Sequence, residues 1–216
     1  MLVHADLRER VVVATRTAAW VPSPEPGVER ILLERDGDET ARATSIVRYA
    51  PESRFAAHEH ARGEEFFVLE GEFRDEHGVY PAGTYVRNPW GSRHAPFSPA
   101  GCTLFVKLRQ MPGGEDQRAC VPGAVARLDL EPARTEREVV LFASATERVS
   151  LMRWGAGHAS VRHQYPDVAE ILVLEGSFED EQGRYPAGLW IRQPAGSAHQ
   201  TRTREGCLLF VKHGLR

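Results

Sequence analysis

Apolar residues in this chain come in short runs stopped at turns, without the sustained 3.6-residue recurrence that a helix face needs. The runs at 66–69 (FFVL) and 171–174 (ILVL) are β-prone and end at Gly71 and Gly176. Tyr85-Val86-Arg87 and Trp190-Ile191-Arg192 follow the punctuating tripeptides Pro81-Ala82-Gly83 and Pro186-Ala187-Gly188. Both are stopped by proline, at Pro89 and Pro194, because proline cannot donate to a ladder. Asp75-Glu76-His77-Gly78 and Asp180-Glu181-Gln182-Gly183 place a glycine where a hairpin turn calls for positive φ. Many short strands joined by tight turns predict an all-β barrel or sandwich.

The same pattern occurs twice. Residues 65–94 recur as 170–199, displaced by 105 residues with no gap, and the likeness continues on both sides. Ser45-Ile46-Val47-Arg48-Tyr49 matches Ser150-Leu151-Met152-Arg153-Trp154, and residues 101–107 (GCTLFVK) match 206–212 (GCLLFVK). A whole domain is duplicated. The predicted division is a first barrel over 1–112, a linker over 113–127 rich in Gly, Pro and charge, and a second barrel over 128–216 that begins with a strand at 139–142. The first copy also carries an N-terminal extension with Val11-Val12-Val13 and Trp20. A strand there could pair with the partner barrel or with a second chain.

Composition narrows the function classes. The 216 residues are 42% hydrophobic and 26% charged, with a formal charge of −3. That is ordinary for a globular protein, and the 27 basic residues are scattered, so no nucleic-acid face is expected. No run of about 18 apolar residues suggests a membrane span. Residues 1–20 mix acids and arginines into their apolar stretch, unlike a secretory signal, so a cytoplasmic location is expected. Cys102, Cys120 and Cys207 form no C-x-x-C pair and predict neither a zinc ribbon nor a disulfide framework. Cys102 and Cys207 read as small buried residues, and Cys120 as the more exposed thiol.

Candidate chemistry lies in the first copy. His58 and His60 stand at i and i+2, on one side of a strand; Glu64 follows, and His94 returns after two more strands. Three imidazoles and a carboxylate aimed at one point make a site for Zn, Fe, Mn, Ni or Cu, and suit Ca poorly. In the second copy His163 and His199 persist, whereas Tyr165 replaces His60 and Ala169 replaces Glu64. Glu170 aligns with Glu65, one residue out of phase, and only a bulge would turn it inward. His4, His77, His158 and His213 lack partners at ligand spacing and read as structural or solvated. Glu65 and Glu170, Arg48 and Arg153, Arg87 and Arg192 recur in both copies and read as ion pairs or hydrogen bonds serving the fold. Phe66 and Val68, in phase with Glu64, are expected to line an apolar wall behind the metal.

The spacing resembles the cupin superfamily. Its motif H-x-H-x3-E-x6-G is matched by His58, His60, Glu64 and Gly71, and G-x5-P-x-G-x2-H by Gly83, Pro89, Gly91 and His94. Two positions depart: Glu52 stands where a glycine is expected six residues before the first histidine, and Ser98 replaces a terminal asparagine. Residues 47–110 are similar to the ChrR-like cupins almost throughout, and the second copy extends the likeness over nearly the whole chain. The resemblance implies two tandem cupin barrels (double-stranded β-helix, or jelly roll). It implies one divalent transition metal per chain, Zn2+ or Fe2+ foremost and Mn2+ or Ni2+ as alternatives, held by His58, His60, Glu64 and His94. It also implies a small-molecule ligand or substrate and a homodimer. Anti-sigma activity, which the family's namesake carries on a separate helical domain, is not expected of this strand-rich chain. Two functions follow: a small-molecule or oxidant-responsive sensing module, or a non-haem metal-dependent dioxygenase acting on a small dicarbonyl. No catalytic acid, base or nucleophile beyond the ligands stands out.

Overall fold

The computed structural model describes residues 1–111, 113, 117–130 and 135–215. They divide into two units, one of Met1–Ala5 with Ala19–Ala124 and one of Asp6–Ala18 with Val125–Arg216. Each is an antiparallel β structure of one design. In the first, Val28–Asp36 pairs Arg42–Tyr49, which pairs Cys102–Leu108, then Glu64–Asp75, then Tyr85–Asn88. In the second, Glu136–Ala143 pairs Arg148–Trp154, then Cys207–Leu215, Val168–Asp180 and Leu189–Gln193 in the same order. A separate two-stranded sheet accompanies each: His58–His60 with Ser92–His94, and His163–Gln164 with Ala198–His199.

The units are not contiguous stretches of chain, unlike the 1–112 and 128–216 division that the repeat suggests. Strand Val11–Ala14 lies on the free edge of Leu189–Gln193 in the second unit, which resolves where the N-terminal extension pairs. Strand Ala119–Val121, within the expected linker, covers the equivalent edge of Tyr85–Asn88 in the first. An uncovered edge offers unpaired N–H and C=O groups, and a short added strand removes that liability. The linker region also holds a seven-residue helix, Ala124–Leu130, which the strand periodicity did not foretell; its buried Ala124 and Leu128 share a face at i and i+4. Residues 112, 114–116 and 131–134 of the expected linker and of the approach to the second barrel lie outside the described residues. No described helix is long and apolar enough to cross a membrane.

Strand alternation builds a core in each unit. Phe66, Val68, Val86, Leu104 and Val106 pack with Tyr49, Phe73 and Tyr80 in the first, and Ile171, Val173, Ile191, Leu209 and Val211 with Trp154, Phe178 and Tyr185 in the second. The recurrent charged residues make contacts within each unit's fold. Arg87 is fully buried and meets Glu65 at 3.3 Å, while Arg192, equally buried, donates to the Asp6 and Glu9 carbonyls of the N-terminal segment. Cys102 and Cys207 are buried and Cys120 is exposed.

Two local expectations change. Gly78 has no positive φ; instead the Asp75 carboxylate closes the hairpin by accepting the N–H groups of His77 and Gly78, at 2.8 and 3.0 Å. A side chain at Gly78 would meet the Tyr80 ring at 3.3 Å, so close approach explains that glycine. Conversely, the glycine missing at position 52 is missing only in sequence: Glu52 adopts φ 65°, close to the 76° of its counterpart Gly157. Left-handed backbone costs a non-glycine residue roughly 1–2 kcal/mol, partly offset by the greater unfolded-state freedom of glycine. Glu52→Gly is therefore expected to raise Tm by about 2–4 °C in thermal unfolding followed by circular dichroism. A lowered Tm would mean that the Glu52 side chain contributes more than its backbone strain costs.

Candidate metal centre

Antiparallel register brings the histidines together. His94 stands directly opposite His58 and Ser92 opposite His60, so alternation puts all three imidazoles on one side of their small sheet. Glu64 opens the next strand, paired with Asn88 on one side and Leu108 on the other. His60 Nε2 lies 2.9 Å from His94 Nε2, and Glu64 Oε2 lies 3.4 Å from the first and 3.6 Å from the second. The His58 ring centroid is 4.8 Å from that of His60 and 5.0 Å from that of His94. One ring nitrogen of each histidine falls within 4.8 Å of the others, and among the described residues this is the group of three that could hold a metal ion.

These edges fit a coordination polyhedron. Metal–nitrogen bonds of about 2.0–2.1 Å imply donor–donor edges of roughly 2.8–3.0 Å for cis-octahedral and roughly 3.3–3.4 Å for tetrahedral geometry. Second partners orient each donor. Asp75 Oδ2 accepts from His94 Nδ1 at 3.0 Å and the Ala56 carbonyl accepts from His58 Nδ1 at 3.0 Å, which leaves both Nε2 atoms as donors toward a metal. Asn88 Nδ2 donates to Glu64 Oε2 at 3.1 Å. Burial lowers the His60 pKa, with Glu64 opposing it in part, so that imidazole is neutral. Burial alone would raise Glu64, but His60, His94 and the Asn88 bond more than offset it and hold the carboxylate ionised. For His94 burial is again outweighed, here by the Asp75 bond and the Glu64 charge, and its pKa rises.

All four residues expected from sequence meet at this point, and Phe66 and Val68 lie in the buried apolar cluster as expected. Phe73, edge-on to His94 at 6.3 Å, adds to the apolar wall. The sequence reading missed Asp75, which it took only for a turn residue. Asp75 also accepts from Tyr80 Oη at 2.9 Å, and Arg118 donates to that phenol at 2.9 Å. The signal was available, because Asp75 and Tyr80 recur as Asp180 and Tyr185.

The second unit keeps the frame without the ligand set. His199 Nδ1 meets Asp180 Oδ2 at 3.0 Å, Tyr185 donates to Asp180 at 2.7 Å, and Arg10 donates to Tyr185 at 2.6 Å. His163 Nε2 lies 3.1 Å from His199 Nε2, whose other neighbour is the Tyr165 hydroxyl at 2.8 Å. Glu170 is not turned inward: it pairs across the strands with Arg192 and Lys212 and accepts from Trp190 Nε1 at 3.4 Å. Of the histidines set aside from sequence, His4 meets the Leu33 carbonyl and His77 the Arg93 carbonyl. His158 is not solvated but buried, stacked on Trp154.

A family model described as the ChrR cupin-like domain matches residues 8–112 and again 120–215. No curated protein matches the chain in sequence. Among solved structures, a candidate dioxygenase of Nostoc punctiforme superposes with a TM-score of 0.78 at 17% identity, over 96% of this chain and 84% of that one. A bacterial pirin of Escherichia coli in complex with nickel(II) gives 0.66 at 13%, over 94% and 97%. Salicylate 1,2-dioxygenase of Pseudoaminobacter salicylatoxidans gives 0.62 at 13%, over 80% and 70%. At such identities the likeness speaks for the fold alone. The two family matches, by contrast, span most of the sequence, one to each barrel: the chain belongs to the ChrR cupin-like family, as two cupin domains in tandem.

Proposed function

We propose that His58, His60, Glu64 and His94 hold one divalent transition metal, and that the first barrel is a binding and sensing module for a small molecule or an oxidant. The observation that carries this reading is the convergence of two Nε2 atoms and one carboxylate oxygen within 2.9–3.6 Å, with the third imidazole beside them. Neutral nitrogen and anionic oxygen donors suit Zn2+ or Fe2+, with Mn2+ and Ni2+ next. Four protein donors fill tetrahedral Zn2+ and leave it a structural or sensing ion.

A second reading rests on the same donor set. Around an octahedral ion three imidazoles and one carboxylate leave two positions open, which is room for a small chelating dicarbonyl or for substrate with O2. The dioxygenases among the structural neighbours are compatible with it. Homodimer formation belongs to either reading on family grounds.

Elemental analysis of protein purified without added metal should find roughly one transition-metal ion per chain, lost in His60→Ala because a metal's affinity resides in its first ligands. Iron with O2 uptake on a β-diketone selects the enzyme, and stoichiometric zinc without turnover selects the module. Two ions per chain, or none recoverable after reconstitution, would overturn the site as drawn. Asp75→Asn keeps the shape of the partner of His94 but removes its charge, and outer-shell changes of this kind cost about 10–100-fold in metal affinity. Competition with a chromophoric chelator measures that loss, and an unchanged affinity would reduce Asp75 to a turn residue.

A further inference from the structure

The second barrel is not simply a first barrel with its metal site worn away. Relative to the first, the duplicated positions lose ligands and gain other polar groups in the same region. Tyr165 and Ala169 stand for His60 and Glu64, while His158, Ser160, Thr201 and His213 stand for Ser53, Phe55, Pro96 and Leu108. The exchange is paired across the strands: Glu64 faces Leu108 in the first unit, and Ala169 faces His213 in the second. A carboxylate beside an alkyl group has become a methyl beside an imidazole.

These substitutions border a cavity of about 300 Å³ within the second unit. Met152, Ile171, Leu209 and Val211 supply apolar walls, and Trp154, His158, His163, Tyr165, His199 and His213 supply a ring of aromatic and hydrogen-bonding groups. Two of those side chains are left without a partner. Trp154 and His158 are each only 8% exposed, stack with ring centroids 5.0 Å apart, and neither Trp154 Nε1 nor His158 Nε2 finds a hydrogen-bond partner. A buried polar nitrogen that loses water without gaining a partner carries a desolvation penalty, so two side by side on a cavity wall indicate a guest that supplies hydrogen-bonding oxygens. No lysine or arginine is among the described residues lining the cavity, and its one carboxylate, Glu136, is exposed. Burial lowers the pKa of His163 and of His213 and raises that of Tyr165, which favours the neutral form of those three groups.

We propose that the second barrel is a metal-independent binding site for an uncharged, single-ring molecule bearing at least two hydrogen-bonding oxygens, of the phenol class. The ring packs between the aliphatic walls and the Trp154–His158 stack. One oxygen accepts from Trp154 Nε1, which can only donate, and another pairs with His158 Nε2, which can donate or accept according to tautomer. The volume sits at the small end of ligand pockets and admits one substituted ring. A metal between His163 and His199 would leave the Trp154 and His158 nitrogens unanswered, which is why an organic guest is the better match.

The test uses full-length, chelator-treated protein titrated calorimetrically with resorcinol, and with m-xylene as the same shape without oxygens. Resorcinol is expected to bind saturably at roughly one per chain, and m-xylene much more weakly. Trp154→Phe removes the indole nitrogen and His158→Phe both imidazole nitrogens while an aromatic ring stays at each position, and each should weaken resorcinol about 3- to 10-fold, the usual worth of a net hydrogen bond. His60→Ala in the first barrel should leave resorcinol binding unchanged, which separates this site from the proposed metal centre. Should a variant fail to fold, the indole N–H resonance of Trp154 in the wild-type NMR spectrum still reports the contact by shifting with resorcinol. No saturable uptake, equal binding of m-xylene, or loss of binding in His60→Ala would overturn the proposal. So would a second equivalent of metal that His163→Ala abolishes.

Discussion

The hydrogen bond from His94 to Asp75 is the constraint on which the rest of the site depends. A single carboxylate does three jobs there. It closes the hairpin between Glu64–Asp75 and Gly78–Pro81, ties down Tyr80 from the next strand, and fixes the imidazole that returns from the far side of the barrel. Because the carboxylate holds Nδ1, Nε2 of that imidazole is turned toward His60 and Glu64. A side chain oriented by a second partner has less ordering entropy to lose when it binds a ligand.

The duplication separates what the barrel needs from what the metal centre needs. Asp180, Tyr185 and His199 repeat the Asp75, Tyr80 and His94 geometry to within a few tenths of an ångström, although half the ligand set has gone. The Asp–His pair therefore belongs to the architecture, whereas Glu64 and His60 are peculiar to the first copy. The arginine that completes each chain of contacts arrives with the covering strand: Arg118 just before Ala119–Val121, and Arg10 just before Val11–Ala14. Edge protection and support of the buried histidine thus come from one short segment in each unit.

Much of this was legible in the sequence, for identifiable reasons. Strand periodicity, proline stops and the ungapped repeat gave the β class and the two barrels, and i, i+2 spacing gave the common face of His58 and His60. What stayed hidden involved contacts that local pattern cannot express. The covering strands pair with chain far away in sequence, so Val11–Ala14 read only as a strand in search of an edge. Asp75 looked like ordinary turn chemistry, because a turn aspartate and a histidine-orienting aspartate are the same residue until the fold brings position 94 beside it. His158 and His213 had no ligand spacing, and only the cavity shows them as lining groups. Glu52 shows the reverse failure: a motif residue was absent, yet its backbone conformation survived.

The contrast between Glu64 and Ala169 bears on why the first site is retained as it is. A carboxylate buried among imidazoles is costly to desolvate unless opposite charge meets it, and hydrogen bonds such as that from Asn88 offset only part of the cost. In the second barrel the same strand position carries a methyl group, and the Nε2 of His199 meets the Tyr165 hydroxyl and His163, while the one carboxylate bonded to that imidazole, Asp180, sits on its Nδ1 side as Asp75 does in the first. A barrel of this design closes without the glutamate. Its presence in the first copy, oriented by Asn88 and set against two imidazole nitrogens, is a burial cost that the fold does not require and that a cation held there would offset.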